Sequence, residues 1–68
     1  MTPIYRVRLD KDSVIVAECS ALDAALTAMR TTAAPTHVEH VASGLQLRME
    51  GMRYVWVDQN GRQQVSPE

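Results

Sequence analysis

Apolar and polar residues alternate along residues 4–19, on both sides of a polar segment at 10–13. A period of two residues is typical of β-strands, so the pattern predicts a hairpin that pairs Leu9 with Val14. One predicted face of this hairpin carries Tyr5, Val7, Leu9, Val14 and Val16. The other predicted face carries Ile4, Arg6, Arg8, Ile15, Ala17 and Cys19. The first face is apolar, and we expect it to point towards the core.

After Ser20 the apolar spacing changes to the period of an amphipathic helix. The apolar stripe consists of Leu22, Ala25, Leu26, Met29 and Ala33. This spacing predicts a helix near Ala21–Ala33, with Ser20 as its N-cap and Asp23 completing a capping box. Pro35 disfavours helical geometry at the residue before it, and therefore ends the helix.

Three dipeptides divide the rest of the chain into alternating segments: Ser43-Gly44, Glu50-Gly51 and Asn60-Gly61. Treated as two-residue turns, they predict a four-stranded antiparallel meander. Its apolar face carries Val38, Ala42, Leu45, Leu47, Met49, Met52, Tyr54, Trp56 and Val65, together with His40. Three turns that produce one nearly continuous apolar face support each other, because a one-residue slip would invert a strand.

The reverse face of the meander carries polar and charged residues that can pair across strands. The same registers place Glu39 opposite Arg48 and His37 opposite Glu50, which are complementary pairs. They also place Arg48 opposite Arg53, which is a repulsive pair.

These elements predict an α+β fold of order ββαββββ, in which the helix packs on one face of the sheet. In particular, we expect Leu22, Leu26 and Met29 to meet the apolar face of the meander. Residues 1–68 are expected to form one small domain with a loose tail at 66–68. The pattern leaves open whether the N-terminal hairpin joins the same sheet as the meander.

Composition excludes several classes of protein. The chain has 68 residues, one cysteine and a formal net charge of -1. It has no apolar run near the ~20 residues that span a bilayer and no apolar secretory signal, so we expect a cytoplasmic protein. A balanced charge provides no general attraction for nucleic acid or anionic lipid. Because chains of this size bury a small core, a homodimer is a further expectation.

The residues that could perform chemistry do not form a recognisable site. His37 and Glu39 point to one face of a strand and His40 to the other, so no metal-ligand set is preassembled. Cys19 precedes a helix N-terminus, but the chain has no phosphate-binding loop and no nucleophile elbow. We therefore expect neither a metal, nor a cofactor, nor an enzymatic activity.

Arginine outnumbers lysine six to one. Arginine is enriched at protein interfaces, where lysine is depleted. We expect the functional surface to be the sheet face opposite the helix, where uncovered valines, Val41 among them, lie beside the arginines. An exposed strand edge beside this face is the other possibility, because it could pair with a partner by β-augmentation. The predicted partner-binding residues are Arg6, Arg8, Arg48, Arg53, Val55 and Val57. The alternatives are an ordinary solvated face or a nucleic-acid-binding regulator, although Tyr54 and Trp56 face the core and cannot stack on bases.

The hairpin followed by residues 20–26 resembles the strand–strand–helix opening of small bacterial antitoxins. The resemblance covers less than half of the chain, and residues 10–13 replace the usual glycine-rich turn, so it assigns no residue a role. Phage-encoded inhibitors such as anti-CRISPR proteins are similar in size and in lack of motifs. This similarity implies a small inhibitor or regulator that binds a larger protein.

Overall fold

The computed structural model describes residues 3–67, which form one helix and one antiparallel sheet. The elements are β1 (Tyr5–Leu9), β2 (Ile15–Cys19), α1 (Leu22–Thr31), β3 (Thr36–His40), β4 (Gln46–Glu50), β5 (Arg53–Val57) and β6 (Gln63–Gln64). The strand order is β2-β1-β3-β4-β5-β6. The predicted α+β class is confirmed, and the hairpin and the meander form one sheet because β1 pairs with β3.

The core lies between α1 and the β1 side of the sheet. Its buried members are Tyr5, Val7, Ala25, Val38, Leu47 and Trp56. The helix packs against β1, β2 and β3. Because α1 packs on three of the six strands, it covers half of the apolar face, and not the whole meander as predicted.

The uncovered half of that face contains a shallow groove beside the C-terminal end of α1. The groove has a volume of about 350 Å³, and Met29, Pro35, Met49 and Tyr54 are among its lining residues. Thr36 also lines it, and its buried hydroxyl makes no hydrogen bond to the described residues. Met49, predicted in the core, is consequently exposed.

A β-bulge in β2 changes which of its side chains face α1. Near the loop the predicted register is observed, with Arg8 opposite Ile15. The register then shifts by one residue, and Val7 lies opposite Ala17 rather than opposite the predicted Val16. Because side chains alternate along a strand, the extra residue reverses the face of the residues that follow it.

Two predicted core residues of the hairpin, Val14 and Val16, are exposed. Val14 lies on the loop side of the bulge, where the predicted register is observed, so the bulge explains the change at Val16 only. Ala17 and Cys19 pack against the core cluster instead. The sequence pattern could not reveal the bulge, because residues 14–17 are all apolar and fit either register.

The β3–β4 connection is a four-residue loop that ends at Gly44, and not the predicted two-residue turn. The His40 N–H donates to the Leu45 carbonyl (2.8 Å), and the Gly44 N–H donates to the His40 carbonyl (2.9 Å). As a result, Val38 lies opposite Leu47, two residues from the predicted register.

The β4–β5 turn also differs from its prediction by two residues. Residues 51–52 form the turn, and Glu50 lies opposite Arg53. A shift of two residues keeps every side chain on its face. Trp56 therefore stays on the predicted core side, where it lies opposite Leu47.

The β5–β6 connection has three loop residues, whereas the predicted turn has two. This difference of one residue moves the side chains of the last strand to the other face of the sheet. The Asp58 N–H donates to the Arg62 carbonyl (2.9 Å), which closes the loop. Trp56 pairs with Gln64 rather than with the predicted Val65. Val65 is therefore exposed and does not belong to the core.

The helix is shorter at both ends than the pattern predicts. Its N-cap is Ala21, which makes no side-chain cap bond among the described residues, so the capping box of Ser20 does not form. At the other end Thr32 is extended, and its N–H (3.1 Å) and hydroxyl (2.7 Å) both donate to the Ala28 carbonyl. The helix therefore ends before Ala33, which is exposed.

Ser66 and Pro67 follow β6 outside any strand, and Glu68 of the predicted tail lies outside the described residues. Within residues 3–67, no helix has the length and apolarity that crossing a membrane requires.

Replacing Trp56 with alanine should lower the free energy of unfolding by ~3–5 kcal/mol, because the indole packs in the core against Tyr5 and Leu47. Urea denaturation followed by circular dichroism measures the effect. The matched control is Met52→Ala, since Met52 is fully exposed and should change the stability little. Equal stabilities of the two variants would contradict the observed core.

The loops that end at Ser13 and Gly44 share one hydrogen-bond pattern and one left-handed position. Ser13 has φ 61° and Gly44 has φ 75°, a region that L side chains adopt at a cost. Ser13→Gly should therefore raise the free energy of unfolding by up to ~1 kcal/mol, and Gly44→Ser should lower it by a similar amount. Urea midpoints of the two variants that shift in the same direction would refute the shared geometry.

Candidate interaction surface

The sheet face opposite α1, here called the open face, carries all of the predicted partner-binding residues. The pairings place Arg6, Arg8, Arg48, Arg53, Val55 and Val57 on this face. Arg6 and Arg8 lie on β1, near one edge of the sheet, and the other four residues lie on β4 and β5. The sheet therefore divides the predicted set into two groups rather than collecting it at one spot.

The two β1 arginines form ion pairs with carboxylates of the neighbouring strands. Arg6 Nε lies 3.1 Å from Glu18 Oε2, and Arg8 Nε lies 3.1 Å from Glu39 Oε1. Arg8 also donates from Nη1 to the Ser13 carbonyl (2.7 Å), across the hairpin loop. These long-range pairs replace the predicted Glu39–Arg48 pair.

His37 is buried on the open face, although the sequence suggested a solvated partner of Glu50. Its ring is 3% exposed, and Nδ1–H donates to Asp10 Oδ1 over 2.6 Å. Arg48 Nη1 lies 3.7 Å from the same oxygen. A carboxylate can only accept hydrogen bonds, so Asp10 links an imidazole and a guanidinium from two other strands.

Val55 and Val57 are buried, so the expectation that these valines are uncovered is wrong, whereas their part in partner binding stays a prediction. They are 5% and 8% exposed, respectively. Arg48 lies opposite Val55 and Gln46 lies opposite Val57. Arg48 Nη2 donates to Gln46 Oε1 (2.7 Å), so the two long side chains are held beside the valines. The stems of long polar side chains can cover apolar surface in this way. Val41 is partly buried.

The charges of the open face balance within the described residues. Its arginines are Arg6, Arg8, Arg48 and Arg53, and its carboxylates are Asp10, Glu18, Glu39 and Glu50. Arg53 lies opposite Glu50 and not opposite Arg48 as predicted. Four positive and four negative groups leave no basic stripe of the kind that binds phosphate backbones.

The sequence left open a contact through an exposed strand edge but did not identify which edge. β2 is the first strand of the sheet, and Ile15 and Val16 at its start are 40% and 42% exposed, whereas Val14 immediately before it is 52% exposed. We call these three residues the β2 edge surface. The signal was present as three consecutive β-branched residues, but assigning Val14 and Val16 to the core concealed it.

Polar groups elsewhere have local structural roles. The Ser43 hydroxyl lies 2.7 Å from His40 Nδ1 and accepts the Leu45 N–H (3.2 Å), so it closes the β3–β4 loop. His40 contacts the rings of Tyr5 and Trp56 and lies on the opposite face from His37, as predicted. No group of three or more His, Cys, Asp or Glu residues arranged to hold a metal occurs within residues 3–67.

Asp10→Ala should lower the free energy of unfolding by ~1–3 kcal/mol, because it leaves the buried His37 Nδ1 without its acceptor. Asp10→Asn keeps an acceptor oxygen and should therefore lower the free energy of unfolding by less than Asp10→Ala does. The control is Glu50→Gln, an exposed carboxylate on the same face. Urea denaturation measures the stabilities, and imidazole nitrogen NMR reports the state of the His37 ring. Wild-type stability of Asp10→Ala would contradict this account of the contact.

No protein-family model matches the chain, and neither a curated protein nor a solved structure matches it.

Proposed function

We propose that the chain is a small, non-catalytic protein-binding module that contacts its partner through the β2 edge surface. The observation that carries this proposal is the exposure of three consecutive β-branched side chains at the start of an edge strand, two on the strand and one immediately before it. Natural sheets usually protect such edges with charges, with proline or by making the strand very short. An apolar strand edge that is left exposed is therefore a good candidate for a binding site.

The opposite edge of the sheet provides an internal comparison. β6 has two residues, Gln63 and Gln64, and both are polar. It is short and hydrophilic, as protected edges are. β2 has five residues, and its first two belong to the β2 edge surface. This asymmetry supports a role for the β2 edge that β6 does not share.

Two of the predicted binding residues border the proposed surface. Arg6 pairs with Glu18 on β2, and Arg8 reaches across the loop to Ser13. An apolar centre beside partly exposed charged groups is the usual arrangement of a protein interface. Arg48 and Arg53 lie at the other end of the open face, and their participation stays a prediction.

Nucleic-acid binding through the open face is the alternative function. It is less well supported, because the carboxylates of that face offset its arginines. Phosphate recognition requires uncompensated positive charge, and its affinity falls steeply with salt. We further propose that the module acts as an inhibitor or regulator in the cytoplasm, in keeping with its single cysteine and small size.

Ile15→Lys should reduce the amount of partner captured from source-cell extract at least tenfold, because it places a charge at the centre of the apolar surface. Quantitative mass spectrometry of proteins retained by immobilised chain measures the effect. Val65→Lys is the matched control, since Val65 is exposed and lies beyond the opposite edge strand. Both variants should keep the wild-type melting temperature, because neither side chain belongs to the core cluster.

Two further experiments distinguish the β2 edge surface from the open face, and protein binding from nucleic-acid binding. Arg48→Glu combined with Arg53→Glu tests the far end of the open face. Loss of the partner in this variant but not in Ile15→Lys would overturn the proposed surface. Binding of mixed-sequence DNA or RNA that weakens steeply with salt, and that the arginine variant abolishes, would overturn the proposed function in favour of the alternative.

A further inference from the structure

We infer that the β2 edge binds an extended, net-basic segment of another protein by strand addition. This inference rests on the proposed function and specifies both the binding mode and the chemistry of the partner. In strand addition, main-chain hydrogen bonds to a sheet edge provide affinity, and side chains on alternate positions provide specificity.

The backbone of β2 is suited to this binding mode. β2 pairs with β1 on one side, and no described strand lies on its other side. A strand of five residues is about 16 Å long, which accommodates a short peptide segment. The bulge next to Ile15 interrupts the regular pattern, so we expect a partner strand to form few backbone bonds. Much of the affinity must then come from side chains.

The side chains of the β2 edge surface flank an added strand on both faces of the sheet. Ile15 lies on the open face, because it pairs with Arg8. Val14, one residue earlier, projects to the opposite face because side chains alternate. A partner strand with apolar residues can therefore contact a β-branched side chain above and below the sheet.

The charges at the two ends of this segment favour a basic partner. Asp12 lies at the loop end, where its Oδ1 accepts the Val14 N–H (3.1 Å). Glu18 lies at the other end, and its side chain is half exposed although Oε2 contacts Arg6. The loop segment 10–13 contains Lys11 and two aspartates, but Asp10 is held by His37 and Arg48, so Asp12 is the carboxylate that this end offers to a partner. Cations spaced along an extended partner would find a carboxylate at each end.

The same charges disfavour a second copy of the chain as the occupant. Antiparallel self-pairing centred on Ile15 would place Glu18 of each copy opposite Asp12 of the other. Symmetry would create this like-charge pair twice, and like charges directly opposite each other destabilise a sheet. In this register the homodimer expected from the small core is disfavoured at this edge.

Two capped eight-residue peptides provide the test, each with four central valines, flanked at each end by two lysines in one peptide and by two glutamates in the other. Titration of the isotope-labelled chain by NMR should show that the lysine peptide shifts the Ile15 and Glu18 amides and slows their hydrogen exchange at least threefold. The glutamate peptide should bind at least tenfold more weakly. Ile15→Gln should weaken binding of the lysine peptide at least tenfold, and Glu18→Gln should weaken it at least threefold. Val65→Gln should leave the affinity unchanged.

Several results would overturn the inference. Equal binding of the two peptides would refute the charge preference, and shifts confined to residues outside β2 would refute the edge. A concentration-dependent dimer in sedimentation that Ile15→Gln abolishes would identify a second copy as the occupant. If Ile15→Lys loses its cellular partner while neither peptide binds, the protein-binding function stands and strand addition fails.

Discussion

The pairing of β1 with two partner strands is the constraint on which the rest of the structure depends. β1 pairs with β2 on one side and with β3 on the other, and this pairing joins the N-terminal hairpin to the C-terminal meander. Tyr5 and Val7 on this strand are fully buried and form the centre of the core. Because α1 connects β2 to β3, it has to cross back over β1, which places it on this half of the sheet.

A single short helix creates two unequal faces. On the helix side, β4 and β5 keep exposed apolar residues such as Met49 next to a groove. On the open face, which no helix of the described residues covers, polar and charged side chains from distant parts of the chain contact each other. Asp10, His37 and Arg48 form one such cluster, and its members come from three separate parts of the chain. Ion pairs and long side chains thus cover β-branched residues that a second helix covers in larger α+β domains.

The two edges of the sheet differ because the two ends of the chain differ in composition. β6 is formed by glutamines after a loop rich in polar residues, and it ends after two residues. β2 begins with β-branched residues, and its bulge turns small side chains, Ala17 and Cys19, towards the helix. Small side chains there leave room for α1, while the larger Val16 remains outside. The packing that allows α1 to approach the sheet thus also creates the apolar edge proposed to bind a partner.

Local periodicity by itself determined the number and type of elements and the position of the helix. It also determined that Tyr5, Val7, Leu47 and Trp56 lie on the core side of the sheet. Those conclusions survive because errors of two residues in two hairpin registers leave every side chain on its face. Loop length cannot be read reliably from a Gly-containing dipeptide, because four-, three- and two-residue loops all use a glycine with positive φ here. A bulge in an apolar run and the partners of the open-face arginines depend on contacts between distant residues. Only the tertiary structure decided them, and with them which valines are buried and which remain at the edge.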